Sequence, residues 1–530
     1  MTAARESRSA VARPSFPVLG AAALAGAATV FAFAPFEVAL LPIASLATLF
    51  ASWRVMPGAR PAAWIGFAFG VGLFGVGVSW VFIALSTFGG MPWWLGAIAT
   101  AGFVAYLALW PALAGAVVAR FASPNRLAFV LLAAATWTAC EWLRGYVLTG
   151  FPWLAVGYAS LPGSTLAGYA PIGGVFLVSL ATAACAALVA VLVEALAGSA
   201  RGPALVSVAT VVALFVAGSL LRPIAWTAPQ RDPLAVSLVQ GDVAQAQKFD
   251  ETFRERTFAL YAELVERSKG RLVVLPESAF PMFADEIPED VLQNLAAAVR
   301  SRDGDVLIGM FTAEPPLPGS RDPRYYNTVV ALGTDAIQLY RKHHLVPFGE
   351  TIPLKAVVGW FIHNVLAIPL ADQTPGAANQ PQLHVAGHRV AMNICYEDVF
   401  GAELIDAARG ADILINVTND AWYGHSVAAW QHNQIAAMRA LELGRPLLRA
   451  TNTGITSAID TDGAVLAQLP WYTRGVLEVE VRGRTGFTPY LRFGDLPVLV
   501  LIATMLGAAL LLRWRAIRGP SAGRESPGPR

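Results

Sequence analysis

Lysine is the scarcest charge in this 530-residue chain: Lys248, Lys269, Lys342 and Lys355 stand against 34 arginines. An ammonium is therefore an uncommon choice here, and its position is informative. Cysteine is rarer still. Cys140, Cys185 and Cys395 fit no disulfide framework, the first two fall in apolar segments, and the compartment has to be read from topology. Charge of either sign is sparse. Asp, Glu, Lys and Arg make up 14% of the chain, against roughly 25% in soluble domains, while 55% is hydrophobic. A large part of the chain is thus expected in lipid. The net charge of +2 is too small to imply a nucleic-acid partner. Internal repeats are lacking, and low complexity is confined to the Gly/Pro/Ser-rich tail after Arg518. A zinc-type ligand set is lacking too: His425 and His432 are about two helical turns apart, read as structural or solvated, and neither metal nor other cofactor is expected.

What is present in abundance is apolar length. Spans are expected near 16–34, 37–53, 62–87, 93–119, 127–143, 170–197, 203–222 and 494–513, each close to the ~20 residues a helix needs to cross a bilayer. The basic start (Arg5, Arg8, Arg13) runs into the first without a cleavage site, so that segment reads as retained. Ala34-Pro35-Phe36 is a tight turn that lets the first pair form one re-entrant hairpin. Gly70-Val71-Gly72-Leu73-Phe74-Gly75 lies inside a span, where helix packing outweighs nucleotide binding. With eight spans, the arginines at 5, 8, 13, 54, 60, 120, 126, 201, 513, 515 and 518 fall on one side. The positive-inside rule makes that side the cytoplasm. Both termini are then cytoplasmic, and the polar region lies outside. The expected division is a membrane domain at 1–222, an extracytoplasmic α/β domain at 223–490, a transmembrane helix at 491–514 and a basic tail at 515–530.

Within the membrane part, Glu141 and Arg144 close the fifth span, either lining a polar cavity or forming an interfacial ion pair beside Trp142. The stretch that follows, Gly150-Phe151-Pro152-Trp153-Leu154-Ala155-Val156-Gly157-Tyr158, is too broken to span and reads as an outer arm or lid, within a loop near 144–165. The polar part alternates strands (234–239, 271–275, 305–311, 328–332, 336–340, 412–417, 446–450) with helices (250–269, 288–301, 400–408, 426–443). That order indicates a layered α/β domain.

Three of its strands end in reactive groups. Leu272-Val273-Val274-Leu275-Pro276-Glu277 delivers a carboxylate, Leu339-Tyr340-Arg341-Lys342 an ammonium, and Val390-Ala391-Met392-Asn393-Ile394-Cys395 a thiol. Together they form an acyl-transfer set: a thiol to attack a carbonyl, a carboxylate to take its proton, and a cation, with the Tyr396 N–H, for the oxyanion. Each alone is weak, since most free cysteines are inert core residues and a charge after a strand is usually a solvated edge.

Leu275-Pro276-Glu277-Ser278, the run from Tyr340 through Lys342 to Pro347-Phe348-Gly349-Glu350, and Asn393-Ile394-Cys395-Tyr396-Glu397 resemble the nitrilase superfamily. With the spans and the Gly-Phe-Pro-Trp stretch, the chain resembles the membrane-embedded apolipoprotein N-acyltransferase branch throughout, including Val239-Gln240-Gly241-Asp242 and Thr418-Asn419-Asp420-Ala421-Trp422-Tyr423-Gly424. The resemblance implies an αββα sandwich on the outer face of a bacterial inner membrane, held by a multi-span helical domain. It implies Glu277 as general base, Lys342 as oxyanion stabiliser and Cys395 as nucleophile. Glu350 matches a second carboxylate near the triad, with pairing of Lys342 as its physical job. Tyr396 and Glu397 match residues beside the nucleophile, Trp422 an active-site tryptophan, and Trp153 an aromatic of the membrane-side arm; His343 departs from the commoner residue and carries no assigned mechanism.

The implied reaction is ping-pong. Cys395 takes an acyl chain from a glycerophospholipid, typically the sn-1 chain of phosphatidylethanolamine, and the α-amine of a diacylglyceryl-cysteine lipoprotein takes it from the thioester. The apolar stretch 357–370, with Trp360 and Phe361, is expected as a lid or a packing helix. Nothing requires a second chain, and a monomer is expected. Two other readings compete: a membrane-tethered amidase or nitrilase using water as acceptor, which leaves arm and lid without purpose, and a lipoprotein-binding scaffold, which leaves three intact motifs without purpose. A transporter lacks paired ionisable groups deep in the spans.

Overall fold

The computed structural model describes residues 14–518 apart from 57, 249, 320–322, 335 and 352–372. The expected lid at 357–370, Lys355 and the arginines at 5, 8 and 13 lie outside the described residues. Apolar helices come first: α1 (Phe16–Thr29), α2 (Leu41–Val55), α3 (Ala59–Gly77), α4 (Trp93–Arg120), α5 (Arg126–Arg144), α6 (Ala170–Ala197) and α7 (Arg201–Leu221). Among the described residues, six helices are long and apolar enough to cross a membrane: α3 to α7 and a C-terminal helix at Leu496–Arg518. The first pair is shorter. The 15 residues of α2 rise about 22 Å against a hydrocarbon core of about 30 Å, which suits a re-entrant hairpin. Parity of the remaining crossings is the same either way.

The third expected span, 62–87, breaks at Gly77. There a Cβ would overlap Leu154, and Val78 leaves helical geometry (φ −124°, ψ 22°). Ile83–Phe88 then forms a separate π-helical turn. The glycine-rich run packs helices, as its place in a span implies. A Cβ on Gly72 would overlap the Ala23 carbonyl of α1, and one on Gly70 would press on Ala108 of α4. At one end of the bundle Arg54 and Arg126 both pair with Glu194, and Arg513 Nε donates to the Ala122 carbonyl at 3.2 Å. The basic ends of α2, α5 and the C-terminal helix therefore gather at one face.

The polar half contributes β1 (Thr227–Pro229), β2 (Leu234–Gln240), β3 (Leu272–Val274), β4 (Asp305–Glu314), β5 (Arg324–Leu332), β6 (Gln338–Arg341) and β7 (Leu383–Val385). It continues with β8 (His388–Ile394), β9 (Ile413–Thr418), β10 (Leu447–Thr451), β11 (Ser457–Ile459), β12 (Val465–Gln468), β13 (Gly475–Val481) and β14 (Arg484–Gly486). Its helices are α8 (Gln245–Lys248), α9 (Arg254–Arg267), α10 (Glu289–Arg300), α11 (Gly401–Gly410), α12 (Ala428–Leu443) and α13 (Pro489–Phe493), before the C-terminal α14 (Leu496–Arg518).

Two six-stranded sheets form, ordered β13-β2-β3-β4-β5-β6 and β12-β11-β10-β9-β8-β7. Strand alternation decides the layers. Leu272, Val274 and Leu307 join the core shared with Ile413, Ile415 and Leu448 of the other sheet. Their neighbours Val273, Val306 and Ile308 face outward onto Tyr261 and Leu264 of α9 and Val299 of α10. The opposite sheet carries α11 and α12. The result is the four-layer α-β-β-α sandwich expected from the sequence. β2–β3–β4 and β8–β9–β10 run parallel, which places the carboxyl ends of β3 and β8 in position to share one cleft.

Candidate active site

Glu277, Lys342 and Cys395 leave three different strands and converge. After β3, Leu275 N–H still donates to the Leu307 carbonyl at 2.9 Å. The chain then turns over Gly309, where a Cβ would overlap the Pro276 carbonyl, and Ser278 adopts φ +46°. The Glu277 carboxylate is gripped from three sides. Oε1 accepts from Asn327 Nδ2 of β5 at 2.7 Å and lies 3.4 Å from Lys342 Nζ; Oε2 accepts from the Asn419 N–H at 2.8 Å.

Lys342 follows β6, its own N–H bonded to the Asn327 carbonyl at 2.8 Å. Its side chain is buried and bonds Glu350 Oε1 at 2.8 Å, while Glu350 Oε2 accepts from the Val346 N–H at 2.8 Å. Burial presses the ammonium down, but Glu350, Glu277 and Cys395 together carry it well above its ordinary value. It is a fixed cation.

Cys395 stands just past β8 with φ +53°, a left-handed conformation that a side-chain-bearing residue keeps only when its surroundings impose it. Buried polar groups supply those surroundings. Asn416 Nδ2 donates to the Cys395 carbonyl at 3.1 Å, and His432 Nε2 lies 3.3 Å from the same oxygen and 2.8 Å from Asp398 Oδ1. Both of those neighbours are acceptors, so Nε2 carries a proton. Beneath, Arg449 bridges Asp398 (3.0 Å) and Asp420 (3.1 Å), and His432 Nδ1 lies 3.0 Å from Asp420; all four side chains are fully buried. The thiol itself is pushed upward by burial and by the Glu277 carboxylate, with Lys342 pulling the other way. At neutral pH the Cys395 side chain therefore rests as a thiol, with the Glu277 carboxylate and the Lys342 ammonium acting on it with opposite signs.

Glu397 and Tyr396 are at the same elbow with different tasks. Glu397 Oε1 accepts from the His343 and His344 N–H groups at 2.7 and 3.1 Å. Its Oε2 accepts from the Ile394 N–H at 2.6 Å and the Tyr340 hydroxyl at 3.0 Å. One carboxylate thus ties the Cys395 strand to the Lys342 strand, and His343 takes part through its backbone. Tyr396 Oη donates to the Gly150 carbonyl in the membrane-side arm.

The tryptophans lie further out. Trp153 is wholly buried, donating from Nε1 to Gln431 Oε1 at 2.7 Å, its ring 5.2 Å from Trp80 and 5.4 Å from His432. It supports the site from beneath. Trp422 is half-buried, edge-on to Phe88 of the π-helical turn. Glu141 and Arg144 serve neither expected arrangement but grip the arm directly: Glu141 Oε1 accepts from the Val156 N–H at 3.0 Å, and Arg144 Nη1 donates to the Phe151 and Trp153 carbonyls at 2.6 Å each.

Asn327, Lys248 and the Asp398–Asp420–His432–Arg449 set did not stand out as site residues in the sequence. Lysine scarcity was the available signal for Lys248, and Asp420 lies inside the Thr418–Gly424 motif. No group of three or more metal-binding side chains occurs among the described residues.

A family model described as Carbon-nitrogen hydrolase matches residues 235–490, and one described as Apolipoprotein N-acyltransferase N-terminal domain matches residues 25–188. The chain is 46% identical over 496 residues to the apolipoprotein N-acyltransferase of Nitrosomonas europaea, covering 94% of this chain and 97% of that one. It is 43% identical over 508 residues to the protein of the same name from Ralstonia nicotianae, covering 93% of each. For the one from Chromobacterium violaceum the identity is 41% over 500 residues, with 94% of each covered.

Proposed function

This chain belongs to the apolipoprotein N-acyltransferase family, and from that premise we propose that it moves a fatty acyl chain from a membrane glycerophospholipid to the N-terminal amine of a diacylglyceryl-cysteine lipoprotein, through a Cys395 thioester. The observation that carries the reading is the buried pairing of Glu277 with Lys342, 3.4 Å apart, beside a cysteine on a left-handed elbow.

In the first half-reaction Glu277 takes the thiol proton as Cys395 Sγ bonds to the ester carbonyl carbon. Lys342 and the Tyr396 N–H face the oxyanion. The C–O bond then breaks, Glu277 returns the proton to the leaving glycerol oxygen, and a lysophospholipid departs. In the second, the lipoprotein α-amine attacks the thioester carbonyl, its proton passes to Glu277, and the C–S bond breaks to give an amide and the thiol. Glu350 keeps Lys342 charged and aimed. Buried arm residues around the elbow disfavour water as acceptor, which is why transfer is preferred to hydrolysis. Phosphatidylethanolamine is the donor we expect from the family resemblance.

The basic helix ends gathered at one face of the bundle support a cytoplasmic location for that face. The sandwich then lies outside a bacterial inner membrane, where both lipid substrates are confined to two dimensions.

The test is the intact mass of the full-length protein after incubation with phosphatidylethanolamine. An acyl adduct removed by hydroxylamine and absent from Cys395→Ala is expected, cleared as an amide by a diacylated lipopeptide. Release of free acid or ammonia from small amides without an adduct would transfer the site to the hydrolase reading.

A further inference from the structure

The acyl-transfer site holds a second lysine that the mechanism above does not use. Lys248 ends the short α8, is buried, and its Nζ donates to the backbone carbonyl of Glu277 at 2.9 Å. Among the described residues that carbonyl is its one hydrogen-bond acceptor, so an ammonium with three donors is buried with one of them used. Burying a cation so is unfavourable unless neighbouring negative charge offsets it. The charged and titratable groups facing it are Glu277 at the end of β3 and Cys395 at the end of β8, with Lys342 reaching the same Glu277 from β6. The surrounding pieces are locked together: Asn419, whose N–H holds the Glu277 carboxylate, also donates from Nδ2 to Gln245 Oε1 at 2.8 Å, on the same short helix as Lys248. Nearly every other cation in the chain is an arginine. A compact ammonium stands at both places where a cation touches Glu277.

Charge balance gives this a purpose. Glu277 and Glu350 carry two negative charges, and Lys342 supplies one positive. With Lys248 charged the four sum to zero. The sum stays at zero as the thiol proton passes to Glu277 and negative charge moves to sulfur and then to the carbonyl oxygen. Without Lys248 the set carries an extra negative charge at every step, and in a low-dielectric site that opposes formation of the oxyanion.

We infer that Lys248 is a positioning residue for acyl transfer: it pins the Glu277 peptide through its carbonyl and supplies the second positive charge that the oxyanion requires. The inference rests on the acyl-transfer reading of the site. Burial presses Lys248 down to about 7, against the upward pull of Glu277 and Cys395, whereas Lys342 is held well above its ordinary value. Rising pH therefore removes charge from Lys248 first, and acylation falls with it.

The experiment is single-turnover formation of the acyl-enzyme from phosphatidylethanolamine in detergent micelles, followed by intact mass across neutral pH. Wild-type protein, Lys248→Met and Lys248→Arg are compared. Wild type should slow several-fold from about pH 6.5 to about pH 8.5. Lys248→Met should be slower on the order of 10²-fold at the lower pH, as expected for a misplaced catalytic group, with the lipid KM unchanged and the alkaline fall gone. Lys248→Arg, permanently charged, should recover part of the rate and keep it at the higher pH. A Lys248→Met profile parallel to wild type, or an unchanged rate, overturns the inference. If Lys248→Met does not fold, Lys248→Arg decides alone: an alkaline fall at the wild-type position overturns the proposal, and its disappearance supports it. A wild-type protein that forms no acyl-enzyme would sink the acyl-transfer reading itself, which is a separate outcome.

Discussion

Tyr396 Oη donates to the Gly150 carbonyl at 3.0 Å, so the residue that follows Cys395 is bonded directly to the arm held by the membrane helices. The arm is itself a strained piece of chain, with Leu148, Thr149 and Leu154 at φ +55°, +73° and +58°. Gly150 has φ +86°, and a Cβ there would overlap the Gly145 carbonyl. Phe151 stacks on the Tyr396 ring at 6.4 Å, and Arg144 holds the Phe151 and Trp153 carbonyls from below. The membrane bundle and the reactive elbow are therefore one packed unit.

Replacing Tyr396 by Phe keeps the ring and removes the donor, leaving a buried carbonyl without its partner. That costs about 1–3 kcal/mol, read as a lowered midpoint of thermal unfolding in detergent. Acyl-enzyme formation should slow at the same time, because the Tyr396 N–H, proposed to face the oxyanion, loses its anchor. Unchanged acylation in a destabilised Tyr396→Phe protein would reduce the contact to packing alone.

Glu397 is expected to be intolerant of the mildest change. Four donors converge on its two oxygens, from Ile394, His343, His344 and Tyr340. A glutamine can accept on one side only, so its amide must face at least two N–H or O–H groups. Glu397→Gln should lose several kcal/mol, since each charge-assisted bond is worth about 1.5–3 kcal/mol. Thermal unfolding measures that loss. Acylation should fall further than the unfolded fraction explains, because the lysine strand and the nucleophile strand lose their common tie. Glu397→Asp should recover neither, as the shorter side chain cannot span both strands.

Much of this was legible in the sequence, for identifiable reasons. Strand ends bearing Glu277, Lys342 and Cys395 could be read because short runs of strand character stop abruptly at them. Helices such as α9 and α12 showed through their apolar spacing. The break of the third span at Gly77 was hidden, because the stretch beyond it, including Val81, Phe82 and Ile83, is as apolar as a span, and the close approach of Leu154 of the arm to Gly77 is a tertiary contact. The grips of Arg144 on arm carbonyls and of Asn327 on Glu277 were hidden too: each joins residues by backbone or amide contacts that no local pattern encodes. Trp153 was recognisable as part of the arm, but its wholly buried place beside Trp80 and His432 depends on tertiary packing.

The buried set beneath the nucleophile makes a stability forecast. Arg449 neutralises Asp398 and Asp420 with no solvent to share the task. Arg449→Met leaves both carboxylates with His432 but without their buried cation and should cost about 3–5 kcal/mol, enough to lower the unfolding midpoint sharply. A paired change, Arg449→Met with Asp420→Asn, removes one of the stranded charges and should return part of the loss. If the double variant is as unstable as the sum of the singles, Arg449 and Asp420 do not interact in the way their 3.1 Å contact implies.

The proposed division of labour between Glu277 and Lys342 can be separated by sign. Burial and then the Glu277 carboxylate push the Cys395 thiol up, while Lys342 pulls it down. Glu277→Gln removes negative charge beside sulfur, so the thiolate becomes easier to form. Labelling by iodoacetamide at a fixed alkaline pH should therefore speed up. Acylation by phosphatidylethanolamine should fall about 10²–10⁴-fold, the usual contribution of a positioned general base. Lys342→Met removes positive charge, so both labelling and acylation should slow. Opposite responses in Glu277→Gln and matched responses in Lys342→Met identify a base and an electrostatic stabiliser, respectively. Were Glu277→Gln to slow both reactions alike, the carboxylate would be holding the site together rather than taking the proton, because loss of a base alone cannot slow an alkylation that needs no base.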